Sequence, residues 1–451
     1  MKKIFTSFII ALISCTNSFA QLCFSSEIDF RTGVNSVAAC TADFNDDGFP
    51  DIAVANKQGT VSILLGNGAG SFGAETEYTA GALPVSICAA DFNNDSLIDL
   101  AAALAGPWTT NILTGDGTGA FSSGSFVGYT SPLAVTAVDF NGDGKTDLAI
   151  ATQYRVRISL GDGAGNFSAP VDFGAGHPYY SITAAYINND TALDLACAGG
   201  YMNCAWVFYG DGNGSFSAPQ NVPADSNVID VVCGDFNFDG STDLVTADKS
   251  NDEISEFYGD GAGNFGAPVN FSVGDGPVAI AKANLDGNAF PDLVVVNQFA
   301  CSVAVLQNNL GNFSQPQYFQ LDSFPHDVVV ADFNNDGLDD IAAVCNLTNL
   351  DSGSVNLLIN CSSTEINETE NKKTELVISP NPCFQDFSIK GLPFPNKIFE
   401  ISIFNILGKK VFEKISVLPA EKFSVANFSP GIYLVKISTE ENVYEQKIVV
   451  Q

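Results

Sequence analysis

The chain has 451 residues, 46% of them hydrophobic, and a formal net charge of -32. That apolar share and length describe a folded chain of more than one domain and exclude a disordered one. A surface this acidic repels nucleic acid and anionic membrane, which both need clustered Lys and Arg, and excludes them as partners.

Lys2 and Lys3, an apolar run from Phe5 to Ile13 and the sequence Ser18-Phe19-Ala20 read as an export signal over residues 1–20. Leu12-Ile13-Ser14-Cys15 has the form of a lipobox, a rival reading of the same leader. No other stretch approaches the roughly 20 apolar residues of a membrane span. Ten of the eleven cysteines follow the leader, in a compartment where disulfides are expected. From residue 21 to 361 there are 40 Asp+Glu against 7 Lys+Arg, but from 371 to 451 only 8 against 10, which implies two domains of different character.

An acidic nonapeptide, Asp-Phe-Asn-x-Asp-Gly-x-x-Asp, recurs seven times, starting at Asp43, Asp91, Asp139, Tyr186, Asp235, Asn284 and Asp332. Each period carries short alternating strand patterns joined by Gly, Asn and Asp turns, as in Asp194 to Ala198, Ala205 to Tyr209 and Phe216 to Val222. Four short antiparallel strands per repeat make a blade that must stack on its neighbours, so seven repeats predict a seven-bladed β-propeller over residues 21–361.

A glycine-rich turn marks the first six periods, for example Gly161-Asp-Gly-Ala-Gly-Asn-Phe167, with a degenerate copy from Asn308 to Phe313 in the sixth. It lies between two strand patterns and opens no helix, which excludes a phosphate-binding loop and leaves a tight turn with Gly at positive φ. The seventh repeat lacks its outer strand, whereas Cys23-Phe-Ser-Ser-Glu-Ile-Asp-Phe30 resembles Asn166-Phe-Ser-Ala-Pro-Val-Asp-Phe173. The mature N-terminus is therefore expected to supply that strand and close the ring, with Cys23 bonded to Cys361. Cys197 and Cys204, flanking one hairpin, form a second candidate pair; Cys40 and Cys88 read as small buried hydrophobes.

The nonapeptide sets side-chain oxygens at positions 1, 3, 5 and 9, Gly at 6 and a backbone carbonyl at 7, a donor set that suits Ca2+. The complete loops are Asp43, Asn45, Asp47 and Asp51; Asp91, Asn93, Asp95 and Asp99, with Ser96 at the Gly position; Asp139, Asn141, Asp143 and Asp147; Asp235, Asn237, Asp239 and Asp243; and Asp332, Asn334, Asp336 and Asp340. Tyr186 leaves Asn188, Asp190 and Asp194 in the fourth copy. The sixth reads Asn284, Asp286, Asn288 and Asp292, and both are expected to bind weakly.

On the opposite face, loops carry Trp108, Tyr154, Arg155, Tyr179, Tyr180, Tyr201 and Trp206, and the histidines His177 and His326 precede inner strands. Flat aromatics beside polar groups suit sugar stacking or a peptide anchor. No nucleophile with its base is evident. The reading is a monomeric binding or adhesion module for a glycan or an extracellular protein, with a part in extracellular polysaccharide degradation as the alternative.

These loops, together with Phe72-Gly-Ala74, Phe265-Gly-Ala-Pro268 and Phe216-Ser-Ala-Pro219, resemble the FG-GAP or VCBS repeats of the integrin alpha-subunit propeller. The resemblance implies a propeller with calcium loops and leaves the ligand open. After a linker at 362–375, residues 376–451 alternate as a small immunoglobulin-like β-sandwich, for example at Tyr433, Val435 and Ile437. Ser379-Pro-Asn-Pro382, Ile401-Ser-Ile-Phe-Asn-Ile-Leu-Gly408, Phe428-Ser-Pro-Gly431 and Lys447-Ile-Val-Val450 resemble the C-terminal sorting domain of type IX secretion in Bacteroidota. That resemblance implies the secretion machinery as a partner and an extracellular or cell-surface location for a Gram-negative protein.

Overall fold

The computed structural model describes residues 22–361, apart from 129–130, 175, 322 and 347–351, and a set of segments in the C-terminal unit: 377–379, 386–390, 399–405, 409–416, 422–425, 428–429, 431–438 and 443–450. The leader at 1–20 and the linker at 362–375 lie outside the described residues. The chain divides into two compact units, Met1–Glu365 and Ile366–Gln451.

The first unit is a ring of seven four-stranded antiparallel sheets. Blade 3 shows the plan: an inner strand Pro132–Val138, then Asp147–Thr152, Val156–Ser159 and an outer strand Val171–Phe173. The second strand is buried along its whole length in blades 1 to 6 and up to Cys345 in blade 7, because both faces of the sheet are covered by neighbouring blades. This explains the apolar runs Ile52-Ala-Val-Ala55 and Leu293-Val-Val-Val296, which do not alternate.

Blade 7 is composite. Ile28–Thr32 pairs antiparallel with Gly353–Leu358, so the chain's own N-terminal strand becomes the outer strand of the last blade. Cys23 and Cys361 are disulfide-bonded across that seam, 338 residues apart in sequence. Phe24 bridges Asn360 as Phe167 bridges Gly161 in blade 3.

Cys197 and Cys204 are not bonded to each other; both are free and buried. Cys204 stands opposite Gly199, while Cys197 stands opposite Trp206, two residues further along the hairpin. Directly opposed positions bring Cβ atoms into bonding range, and this diagonal does not. Blade 4 also differs at its outer strand, which is Gln220–Pro223 rather than a strand from Phe216. Phe216 makes only an isolated bridge to Gly210, as Phe72 does to Gly66 in blade 1, where no proline follows.

The second unit is a sandwich of a three-stranded and a four-stranded sheet. Phe387 and Phe423 from the first sheet share a core with Ile401, Ile403, Val435 and Ile448 from the second. Among the described residues no helix is long and apolar enough to cross a membrane.

Candidate functional site

The acidic loop joins the inner strand to the second strand of each blade, so all seven loops lie on one face of the ring. Blade 3 shows its internal wiring. Asp139 Oδ1 accepts the amides of Gly142 (2.7 Å) and Asp143 (3.2 Å), and its Oδ2 accepts that of Gly144 (2.7 Å). Asn141 Oδ1 accepts the Asp143 amide and Asp143 Oδ1 the Lys145 amide, so three short side chains hold the turn.

Position 9 has a second duty that its acidity did not announce. Asp147 Oδ2 accepts the Phe140 amide (3.0 Å) at the loop's start, and Oδ1 accepts the Gly161 amide (2.7 Å) of the glycine turn. The same two bonds recur at Asp51, Asp99, Asp194, Asp243, Asp292 and Asp340. All seven carboxylates are buried. Burial raises their pKa, to about 6 for Asp51 and about 7 for Asp292 and Asp340, against the pull of the donated amides; the position-1 and position-5 carboxylates of the loop add to the rise at Asp51.

The glycine turn docks on the same network. A methyl group on Gly161 would overlap the carbonyl oxygen of Thr146, so this first Gly is needed for close approach and has no positive φ, while Gly163 and Gly165 do. The turn then reaches the preceding blade: Gly165 N–H donates to Phe92 O (3.0 Å), Gly119 to Phe44 O (3.0 Å) and Gly70 to Phe333 O (2.9 Å). Phenylalanines seal each joint edge to face, Phe92 on Phe167 (5.7 Å), Phe44 on Phe121 (5.5 Å) and Phe333 on Phe72 (5.3 Å).

As a metal site, the five complete loops offer the donor types a hard cation takes: carboxylates at 1, 5 and 9 and an amide oxygen at 3. Those carboxylates are engaged by loop amides, each with lone pairs to spare. Among the described residues, no three Asp, Glu, His or Cys side chains are grouped to hold a metal ion. In the weaker loops Tyr186 is exposed and brings no oxygen from its ring to the turn, and Asn284 accepts the Gly287 amide where the others use a carboxylate.

The opposite face carries the aromatic loops. Trp108, Tyr154 and Tyr201 are 59%, 56% and 75% exposed on the hairpins of blades 2, 3 and 4. Tyr201 meets Tyr180 edge-on (6.5 Å), and Trp206 stacks on His177 (4.9 Å between centroids, 14° between planes). Arg155 is paired with Asp172, which also takes Arg157 at 2.7 Å. Tyr179 does not belong to this face. It is fully buried against Phe208 between blades 3 and 4, and burial raises the pKa of its hydroxyl. Tyr179 and Tyr180 point apart as neighbours in an extended segment must.

An axial cavity of about 220 Å3, lined by all seven inner strands, contains Asp230, His326 and Asp327. The two aspartates occupy matching bulges in blades 5 and 7 and accept the next blade's amide, from Ile280 and Ala39 (2.8 Å each). Burial raises Asp327 to about 7 and lowers His326 to about 4, with Lys57 and Lys249 adding to the latter; His326 Nδ1 meets Gln298 Nε2 at 3.2 Å. Sequence reading missed the aspartates because nothing periodic marks them.

The FG-GAP-like repeat matches in six overlapping copies from residue 43 to 343. The chain belongs to the FG-GAP-like repeat family. Residues 377–451 of this FG-GAP protein match the secretion system C-terminal sorting domain, so the chain is exported to the surface or beyond it, as in Bacteroidota-type bacteria. The comparison with curated proteins found no match. Among solved structures, the FG-GAP propeller is similar to BBS1N in complex with ARL6DN (14% identity, TM-score 0.55, covering 76% of this chain and 99% of that one). It is also similar to an Agrocybe aegerita lectin recognising non-reducing terminal N-acetylglucosamine (17%, 0.45, 64% and 81%) and to the periplasmic gluconolactonase of Pseudomonas aeruginosa (14%, 0.49, 63% and 85%). The first likeness is one of fold alone; the other two are looser and decide nothing about activity.

Proposed function

We propose that this exported propeller is a calcium-stabilised binding module that takes a glycan or an extracellular protein on the aromatic loops of blades 2 to 4. The observation that carries the reading is the exposure of Trp108, Tyr154 and Tyr201 on three successive hairpins. Large aromatics left in water contribute little to folding and much to recognition. The two histidines fit a binder better than a catalyst, since His177 lies flat on Trp206 and His326 engages Gln298.

Calcium is supported by the donor set of the five complete loops, in which Asp43, Asp91, Asp139, Asp235 and Asp332 and their partners would hold the ion. Bound there, it would offset the repulsion among carboxylates and keep them ionised. A glycan array probed with the purified propeller, with and without EDTA, tests both parts. Binding that is lost in Tyr201→Ala supports the recognition face, and binding indifferent to Tyr201→Ala and Trp108→Ala overturns it. A melting temperature unchanged by EDTA overturns the calcium reading.

A further inference from the structure

Phe238 is the residue at position 4 of the fifth acidic loop. The equivalent residues are Asp46, Asn94, Gly142, Asn189, Gly287 and Asn335, and all seven adopt positive φ. Asn, Asp and Gly tolerate that left-handed conformation, whereas an aromatic side chain is an outlier there. Phe238 holds it at φ 62° and is still 58% exposed. The strain is therefore not repaid by burial, and strain kept without a folding return points to use.

Its neighbour supplies the context. Phe238 lies 4.8 Å from Phe290 in the loop of blade 6, their rings tilted by 53°. Phe290 lines an open cleft of about 310 Å3, shared with Asn284, Asn288, Lys282 and Asp339 of blades 6 and 7. Asn284 N–H donates to Asp339 Oδ2 (2.7 Å), which fixes that carboxylate at the cleft while its other oxygen has lone pairs to offer. Lys282 donates to the Cys233 carbonyl (3.2 Å) and forms no ion pair among the described residues.

We propose that this cleft is a second recognition site, on the acidic-loop face, for one neutral hexopyranose residue of a glycan. Phe290 in the cleft wall, with Phe238 packed against it, offers an aromatic surface that matches the apolar face of a pyranose ring. Asp339 accepts from its hydroxyls, and Lys282 and the Asn284 side-chain amide donate to them, the Asn288 amide being held by Asp286 Oδ2 and the Asn308 carbonyl. The net charge of -32, with Asp286 and Asp339 close by, selects a neutral sugar over a uronate. The site is independent of the aromatic loops on the other face.

The test uses the full exported chain and ligand-observed saturation-transfer NMR with methyl glycosides of glucose, galactose, mannose and N-acetylglucosamine, and with methyl glucuronide as the charged control. At least one neutral glycoside receives saturation, and the glucuronide receives less. Phe238→Gly weakens that binding about tenfold and raises the melting temperature, because it removes a strained ring. Silence from all four neutral glycosides overturns the proposal, as does unchanged binding in Phe238→Gly. A fall in melting temperature in that variant identifies Phe238 as a packing residue and overturns it too. Phe290→Ala gives a second reading of the same wall. Signal lost in Tyr201→Ala but kept in Phe238→Gly belongs to the opposite face, so the two sites fail separately.

Discussion

On the acidic-loop face, one wiring scheme is repeated in every blade: position 9 ties the loop's start to the first amide of the glycine turn, or to Asn308 and Asn360 in its place in blades 6 and 7, and in most blades that turn is tied in its turn to the blade before. On the opposite face, the hairpins share a place in the fold and little else: Trp108, Tyr154 and Tyr201 occupy them, and their neighbours differ from blade to blade. The first face is built to hold the ring, so its residues are constrained by buried partners. The second is free of that duty, which leaves its side chains available for contact. Constraint and availability should separate cleanly in the energetics of single substitutions.

The sharpest separation is expected at position 9. Asp147→Ala removes the acceptor for two buried amides, and each unsatisfied group costs about 1–3 kcal/mol, so a loss of about 3–5 kcal/mol is expected. Asp147→Asn keeps one good acceptor and should lose about half as much. Denaturant unfolding of the purified propeller measures both; an Ala variant within about 0.5 kcal/mol of the parent, the range of a surface change, would show that the carboxylate is not the tie.

Glycines come next, because the scheme uses them for two reasons. Gly161→Ala drives a methyl group into the Thr146 carbonyl and should cost about 2–4 kcal/mol, in the range of overpacked sites. Gly142→Ala, at φ 73° with open space around it, pays only the left-handed conformation, about 1 kcal/mol. Equal costs would mean that turn geometry alone governs both.

The inner ring gives a pH test. Burial raises Asp327 to about 7 from an unfolded value near 3.9. A carboxyl raised on folding binds its proton more tightly in the folded state. Its contribution is therefore full below the unfolded value and is lost as pH rises through about 7. Stability should fall by up to about 2 kcal/mol between roughly pH 5 and 7 from this group. Asp327→Asn should flatten that slope, read as the melting temperature against pH in the presence of EDTA. A slope unchanged by the substitution would locate the titration elsewhere, with Asp230 the next candidate.

Much of the first face was legible in the sequence, since a loop repeated about every 48 residues fixes the blade count, and the likeness of Cys23-Phe24 to Asn166-Phe167 located the closing strand. What a repeat cannot disclose is the partner of each atom. Asp147 looks the same as a metal ligand and as a backbone tie, and Gly161 looks the same as a φ-positive turn residue and as a close-approach one. Aperiodic features were harder. Tyr179 and Tyr180 are the same residue type one position apart, and only the extended path before Ile182–Ala185 sends one into the core and leaves the other near solvent. Cys197 and Cys204 had a plausible spacing, but the hairpin turn set the register that opposes Cys204 to Gly199.

The smallest expected effect falls on the second face and is the most diagnostic for being small. Tyr201 is 75% exposed and its ring touches Tyr180 only at an edge, so Tyr201→Ala removes little buried area. The stability change should stay within about 0.5 kcal/mol, the usual range for surface substitutions. An edge-on aromatic pair is worth about 0.5–1.5 kcal/mol when well packed, so a loss at the upper end would mean that Tyr201 braces the blade 4 hairpin instead of standing free. In that case its exposure would no longer speak for recognition. A variant that unfolds like the parent yet loses its glycan or protein ligand would show that this face trades no stability for contact, which is the property that sets it apart from the acidic loops.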